Sequence, residues 1–275
     1  MPVIAMTREM GSLGKEVAAG LAEELVIALI YNEIVDVLAD KMRVRKSHVI
    51  KLLDGRANIF ERLTADKTSM SIFTAAEVCA LALREPGALF RGWGTVHLMR
   101  DIPHVVCVRV CAPFELRKQR MMERLKTTDA AKVEEEIRAS EEAQTALVRR
   151  EFHTDWTDAL HYDLVLNTEC LTPAQCIDHV LRVVRSAQFA ETPASRKALA
   201  DLALKTAVQA ALRSNSTTRR LDIAVNATDG LVTLEGIVDN KDDRMLVERV
   251  TAAVPGAGRV NNALRAVSEI RARHA

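Results

Sequence analysis

The sequence predicts an α/β fold in which a parallel sheet is flanked by helices in three layers, followed by a small α+β unit of order αββαβ. Three observations predict it. From Val3 to Val184, short apolar runs of strand length alternate with helical patterns, which is how parallel βα units read in a sequence. The first of these runs passes through a glycine-bearing turn straight into a helix. At "FAETPASR", from Phe189 to Arg196, periodicity stops, and a hairpin pattern with apolar alternation follows. The chain is accordingly expected to divide into a first domain over 1–187, a linker over 188–196 and a second domain over 197–275.

Taken in order, Pro2 to Met6 is an apolar run suited to a fully buried strand. The helix after it places Val17, Leu21 and Leu25 on one face and leaves Lys15, Glu16, Glu23 and Glu24 for solvent or a ligand. Residues 32–83 read as several helices, rich in Lys and Arg between Lys41 and Lys51, without a strand signal. Ala88 to Phe90, entered by Pro86-Gly87, is the next strand, and "VVCVRVCA", Val105 to Ala112, is a stronger one stopped by Pro113. "FELRKQRMMERL" and the charged stretch Asp129 to Arg150 read as helices, and "YDLVLNT", Tyr162 to Thr168, as a further strand. "LTPAQCIDHVLRVV" closes the region as a helix, with Thr172 at the N-cap and Pro173 at the first helical position. Beyond the linker come the helix "LADLALKTAVQAAL" and the strand pair "LDIAVNA" and "LVTLEGIV" around the turn Asp229-Gly230. A helix over Lys241 to Val254 and a last strand in "RVNNALRAV" complete the unit.

Composition narrows the class. With 275 residues, 48% hydrophobic, the chain can bury a substantial core. A formal net charge of +1 gives no reason to expect bulk nucleic-acid binding. Cys79, Cys107, Cys111, Cys170 and Cys176 form no CxxC pair and are odd in number, so reduced, mostly buried thiols are expected rather than a disulfide framework or a zinc site. The start of the chain lacks a signal-peptide pattern, and the run Leu25 to Tyr31 is far short of a membrane span, which leads us to expect a cytoplasmic protein. His97, His104, His153, His161 and His179 share no ligand spacing, and only His153 near Asp155 stands out as a pair. Trp93 and Trp156 are expected to be packing residues.

The opening turn, "MTREMGSLGKEVAAGLAEEL" from Met6, has Gly11 and Gly14 at a helix N-terminus. Unpaired N–H groups and the positive end of the helix dipole gather there, so a phosphate can bind where glycines let the main chain come close. Lys15 lies where the lysine of GxxxxGK[ST] sits, but the first glycine of that pattern is Glu9 and its hydroxyl residue is Glu16, leaving Ser12 as the nearest hydroxyl. On these residues alone a phosphate cradle and a plain tight corner remain equally open.

The wider sequence resembles the cytidylate kinase-like family. "TREMGSLGKEVA" resembles its first loop, with Leu13 where the family keeps a glycine; "YNEIVDVLA", "CAPFELRKQRMMER" and "DWTDALHYDLVLNT" resemble three further segments, and coverage runs from Val3 to Val184. The resemblance implies a P-loop fold and transfer of the γ-phosphoryl group of ATP, with Mg2+, to a nucleoside monophosphate, CMP or dCMP being favoured. It implies that Gly11, Ser12, Leu13, Gly14, Lys15 and Glu16 bind the nucleotide and that Lys15, Arg117 and Arg120 are catalytic, with Arg124 extending the arginine face by one turn; it identifies no metal ligand. Several positions depart from the family pattern. Glu141 and Gln144 stand where its lid carries an Asp and an Arg, with Arg138, Arg149 or Arg150 as substitutes; Arg91 and Gly92 are in swapped order, and Asn32 replaces an acceptor-side aspartate. Such changes affect turnover more than binding, because binding can rest on backbone groups whereas rate depends on charge aimed at the transition state. A catalytically impaired nucleotide sensor acting through the C-terminal domain is therefore the alternative expectation.

From about Ser195 the chain resembles a BON domain, in "LDIAVNATDGLVTLEGIV" and "PGAGRVNNAL", with Gly230 and Gly236 serving turn and bulge. The resemblance implies an interaction module without catalytic residues. Residues 195–275 carry 13 Lys and Arg against nine Asp and Glu. A protein partner, an anionic lipid surface or a second copy of the chain are the partners expected through 197–275.

Overall fold

The computed structural model describes residues 2–53, 66–92 and 94–267; Trp93 and the Asn32 side chain lie outside the described residues. The chain forms two compact units, one of residues 1–66 with 84–192 and the other of residues 67–83 with 193–275.

The first unit is built on strands β1 (Val3–Arg8), β2 (Ala28–Ile30), β3 (Ala88–Arg91), β4 (Val105–Cys111) and β5 (Leu164–Asn167), in the order β2-β3-β1-β4-β5. Every pairing is parallel. A parallel sheet needs cover on both faces, which is why β1 and β4 are almost continuously apolar and buried. On one face, α1 (Gly14–Leu25) and α8 (Pro173–Val184) bring Val17, Ala18, Leu21, Cys176 and Val180 onto Ile4, Met6, Leu89, Val108 and Val110. The short α5 (Thr95–Met99) lies against β1 as well. Helices α2 (Asn32–Met42) and α3 (Lys46–Leu53) follow β2. Helix α6 (Phe114–Leu125) follows β4, and α7 (Ala130–Phe152) folds back on it through Met10, Met121, Val133 and Ile137.

Local chemistry sets the boundaries. Thr172 is the N-cap of α8 with Pro173 after it, as the sequence predicts, and Gln175 completes a capping box. Asp129 caps α7 by accepting from the Lys132 N–H at 3.0 Å. Two elements depart from the sequence reading. The run Leu25 to Tyr31 contains β2, which at three residues is too short to show a period; five-residue α5 was likewise unassigned.

Because the strands are parallel, their C-terminal ends share one edge, and β1 lies centrally in it between β3 and β4. The Glu9–Leu13 loop, Tyr31, Arg91, Ala112 and Thr168 all follow strand ends at that edge, where open α/β sheets hold their ligands.

The second unit pairs β6 (Ile223–Thr228) antiparallel with β7 (Leu231–Val238), and β7 parallel with β8 (Arg259–Asn262) and β9 (Arg265–Ala266). Helices α9 (Pro193–Ser214) and α10 (Lys241–Ala252) cover the sheet face that carries Val225, Val232, Leu234 and Val238. Asp229 at φ 56° and Gly230 at φ 69° make the left-handed pair a tight hairpin requires. The expected single last strand is split, because the Asn262 side chain takes the Leu264 N–H at 3.2 Å. Helix α4 (Lys67–Arg84) contributes residues 67–83 to this unit; Arg213 Nε donates to Ser69 Oγ at 2.6 Å, and burial pushes the pKa of the Cys79 thiol up to about 12 against a smaller lowering from the Thr206 hydroxyl. Among the described residues, no helix is long and apolar enough to cross a membrane.

Candidate functional site

The loop after β1 is shaped by two left-handed residues, Gly11 at φ 83° and Leu13 at φ 58°. A Cβ on Gly11 would lie 2.6 Å from the Arg117 carbonyl oxygen, and one on Gly14 would lie 2.7 Å from Arg8 Cβ. Both glycines are thus required by close packing of the loop over α6 and the end of β1. Leu13 is the N-cap of α1 and offers no side-chain cap. In consequence the N–H groups of Gly11, Leu13, Gly14, Lys15 and Glu16 have no acceptor among the described residues, while Ser12 N–H donates to Glu9 O at 3.2 Å and Val17 N–H to Leu13 O at 3.1 Å. The Ser12 hydroxyl is fully buried and also lacks a partner. Unpaired amides at the positive end of a helix, arranged as a nest, are a site for an anion.

Behind the loop is a buried charge layer. The Glu9 carboxylate, 8% exposed, accepts from Arg109 Nη2 at 2.7 Å and from Ala112 N–H at 3.2 Å, and pairs with Arg117 Nε at 3.2 Å. Arg117, 5% exposed, donates from Nε to Ala112 O at 2.9 Å and from Nη1 to Met10 O at 3.3 Å, and its Nη2 meets Glu141 Oε1 of α7 at 2.7 Å. Arg120 donates to Thr168 Oγ1 at 2.9 Å and Thr168 O at 2.8 Å, and Thr168 Oγ1 donates in turn to Ser12 O at 2.9 Å. Of the two arginines, three residues apart on one face of α6, Arg117 therefore engages the underside of the loop directly and Arg120 through Thr168.

The remaining sequence-selected residues sort by position. Lys15 and Glu16 are exposed on the first turn of α1, and Lys15 has no ion-pair partner among the described residues. Arg124 Nη2 approaches Met121 Sδ at 2.8 Å. Arg138 pairs with Glu134 at 2.9 Å and lies over the Phe114 ring. Arg91 lies over the Tyr31 ring at 4.8 Å, and Gly92, at φ 85°, faces open space.

Sequence spacing hid two further groupings. Glu9 marks a departure from the glycine pattern in sequence, yet it is the hub of the charge layer; its partners lie about a hundred positions away, beyond any local signal. His97 and His161 stand with ring centroids 5.0 Å apart. His97 is buried with both ring nitrogens unpartnered and packs on Phe152 and Tyr162; burial first, then the neighbouring His161 and Arg100 charges, lowers its pKa to about 4. His161 meets Arg100 at Nδ1 and the Thr154 hydroxyl at Nε2. Asp155 turns to Thr157, whose N–H and hydroxyl hold its carboxyl below the usual range, and His153 is exposed at the C-cap of α7. Trp156 is buried and donates to Thr145 Oγ1 at 2.9 Å. Among the described residues no three His, Cys, Asp or Glu side chains gather as a metal site.

A parallel five-strand sheet whose central strand ends in a glycine loop and a helix N-terminus has the P-loop kinase fold. The model of the cytidylate kinase-like family matches residues 3–170, and the chain belongs to that family; that of the BON domain matches residues 200–268. Among solved structures, an uncharacterized protein from Eubacterium ventriosum ATCC 27560 is 17% identical, with 68% of this chain and 99% of that one covered and a TM-score of 0.51. Shikimate kinase from Acinetobacter baumannii in complex with shikimate is 17% identical, with 69% of this chain and 96% of that one covered and a TM-score of 0.42. Shikimate kinase from Bacteroides thetaiotaomicron is 10% identical over 67% of this chain and 99% of that one, with a TM-score of 0.43. At these identities the likeness is one of fold. No match is found among curated proteins.

Proposed function

We propose that the protein is an ATP-dependent kinase of nucleoside monophosphates, with CMP or dCMP the favoured acceptor. The observation that carries this reading is the set of unpaired amides from Gly11 to Glu16 above a buried, unpartnered Ser12 hydroxyl. Those donors suit the negative charge of a triphosphate tail. When bound, ATP with Mg2+ supplies the transferable phosphoryl group. In this reading the main-chain N–H groups of Gly11, Leu13, Gly14, Lys15 and Glu16 and the Ser12 hydroxyl hold the donor phosphates, and the exposed Glu16 carboxylate would hold the magnesium ion that ATP brings. The Lys15 ammonium cancels charge as it builds in transfer. Arg91, stacked on the Tyr31 ring at the end of the strand beside β1, is the cation this reading assigns to the acceptor phosphate. Arg117 serves the reaction through the loop carbonyl it holds, and Arg120 through Thr168. The kinase acts in the cytoplasm, and its C-terminal domain regulates, localises or assembles it, through a protein partner, an anionic lipid surface or a second copy.

One observation favours a second reading. Arg117 is paired with Glu141, and the arginine that α7 places nearby, Arg138, is committed to Glu134. With its guanidinium groups so engaged, the site has the character of a nucleotide sensor. ADP release measured with ATP and each of CMP, dCMP, UMP and AMP separates the two. The kinase reading predicts turnover with a cytosine nucleotide and a loss in kcat of roughly 100-fold in Lys15→Ala. ATP binding without turnover on any acceptor, with Lys15→Ala altering affinity alone, selects the sensor.

A further inference from the structure

A loop with so many unpaired N–H groups is in a precarious state. Free to relax, it would turn those donors onto its own carbonyls, since an unmet backbone donor is costly. What prevents this is visible in the carbonyls themselves. Glu9 O is taken by Ser12 N–H, Met10 O by Arg117 Nη1 and Ser12 O by the Thr168 hydroxyl. Two of these acceptors, Met10 O and Ser12 O, are thus engaged from beneath the loop, and the third is closed within it.

The two arginines do not act alone. Arg117 is drawn toward α7 by Glu141 at 2.7 Å, and the opposing pull toward the loop comes from the Glu9 carboxylate at 3.2 Å, itself fixed by Arg109 and the Ala112 amide. Arg120 does not touch the loop; it orients Thr168, whose hydroxyl accepts from Arg120 and so presents its proton to Ser12 O. We propose that Glu9 and Thr168 are positioning residues that clamp the two ends of the phosphate loop, keeping its amides outward before any ligand arrives. This rests on reading the loop as a phosphate site, and it assigns a purpose to a glutamate where the usual pattern has glycine.

The full-length variants Glu9→Gln, Thr168→Val and Thr168→Ser test it, by 15N order parameters of residues 10–16 without ligand and by ADP affinity with magnesium. In the wild type the loop amides should approach the rigid value of about 0.85, falling below about 0.6 in E9Q and T168V. In both variants the dissociation constant for ADP and the KM for ATP should rise about tenfold, with kcat changing much less. T168S, which keeps the hydroxyl, should restore the rigid loop and the affinity. Unchanged order parameters in E9Q and T168V overturn the proposal, as does loss of order across the whole first unit, or a T168S variant as impaired as T168V. If E9Q does not fold, the T168V and T168S pair decides. Failure of the wild type to bind ADP would overturn the phosphate reading, while the order parameters would still decide the clamp.

Discussion

Leu13 occupies a left-handed backbone position at the rim of the loop, where its family relatives keep a glycine. A non-glycine residue there costs roughly 1–2 kcal/mol, and a glycine would instead cost about 0.5–1 kcal/mol in backbone entropy and lose the half-buried leucine contact. The two nearly cancel, so Leu13→Gly should leave the urea stability of the first unit within about 1 kcal/mol of wild type. Gly11→Ala is different, since φ 83° and a carbonyl oxygen 2.6 Å from the new methyl act together. It should cost about 2–3 kcal/mol in the same titration. Gly11, Gly14 and Lys15 are legible in the sequence as phosphate-site candidates because their pattern is local to one turn. The resemblance implied Arg117 and Arg120 at the phosphates, whereas the structure places their donors on Met10 O, Ala112 O and Thr168, contacts that only the folded sheet brings together.

At the scale of elements, α1 ends at Val26, a β-branched residue at φ 52° and 89% exposed. Its N–H closes on Ala22 O and Glu23 O, and Ile27 N–H on Ala22 O, a helix stop that favours glycine. Val26→Gly should relieve the strain with little burial to lose, raising stability by about 1 kcal/mol and the melting temperature of the first unit by about 2–4 °C in calorimetry. Helix α5 carries a pH dependence. The His97 pKa falls from 6.5 to about 4 on folding, so the unfolded chain binds a proton over a range where the folded chain does not. That contribution is fully present above pH 6.5 and is lost as pH falls toward 4, on the order of 3 kcal/mol. Urea titrations at pH 7.5 and 4.5 should show the loss in wild type and a smaller one in His97→Phe. The sequence could not announce α5, since five residues between Gly94 and Arg100 carry less than two helical turns of pattern. It did announce β1, β4, β5, α6, α7 and α8, whose apolar runs or caps are long enough to read.

For the whole molecule, the alternation of βα units was legible because a parallel sheet buries its strands on both faces and so writes them as apolar runs. Membership of α4 was not legible in the same way. Residues 67–83 read as one more helix in a helical stretch, and it is folding that groups them with the second unit, where Arg213 bonds Ser69. The central claim remains that the amides after β1 bind the tail of a nucleoside triphosphate, and a crystal structure of the full chain with ATP, magnesium and CMP tests it most directly. Phosphate oxygens should lie within about 3.2 Å of the N–H groups between Gly11 and Glu16, with the Lys15 ammonium turned onto them. Phosphates bound elsewhere, or that loop bare while millimolar nucleotide fills another part of the sheet edge, would contradict it.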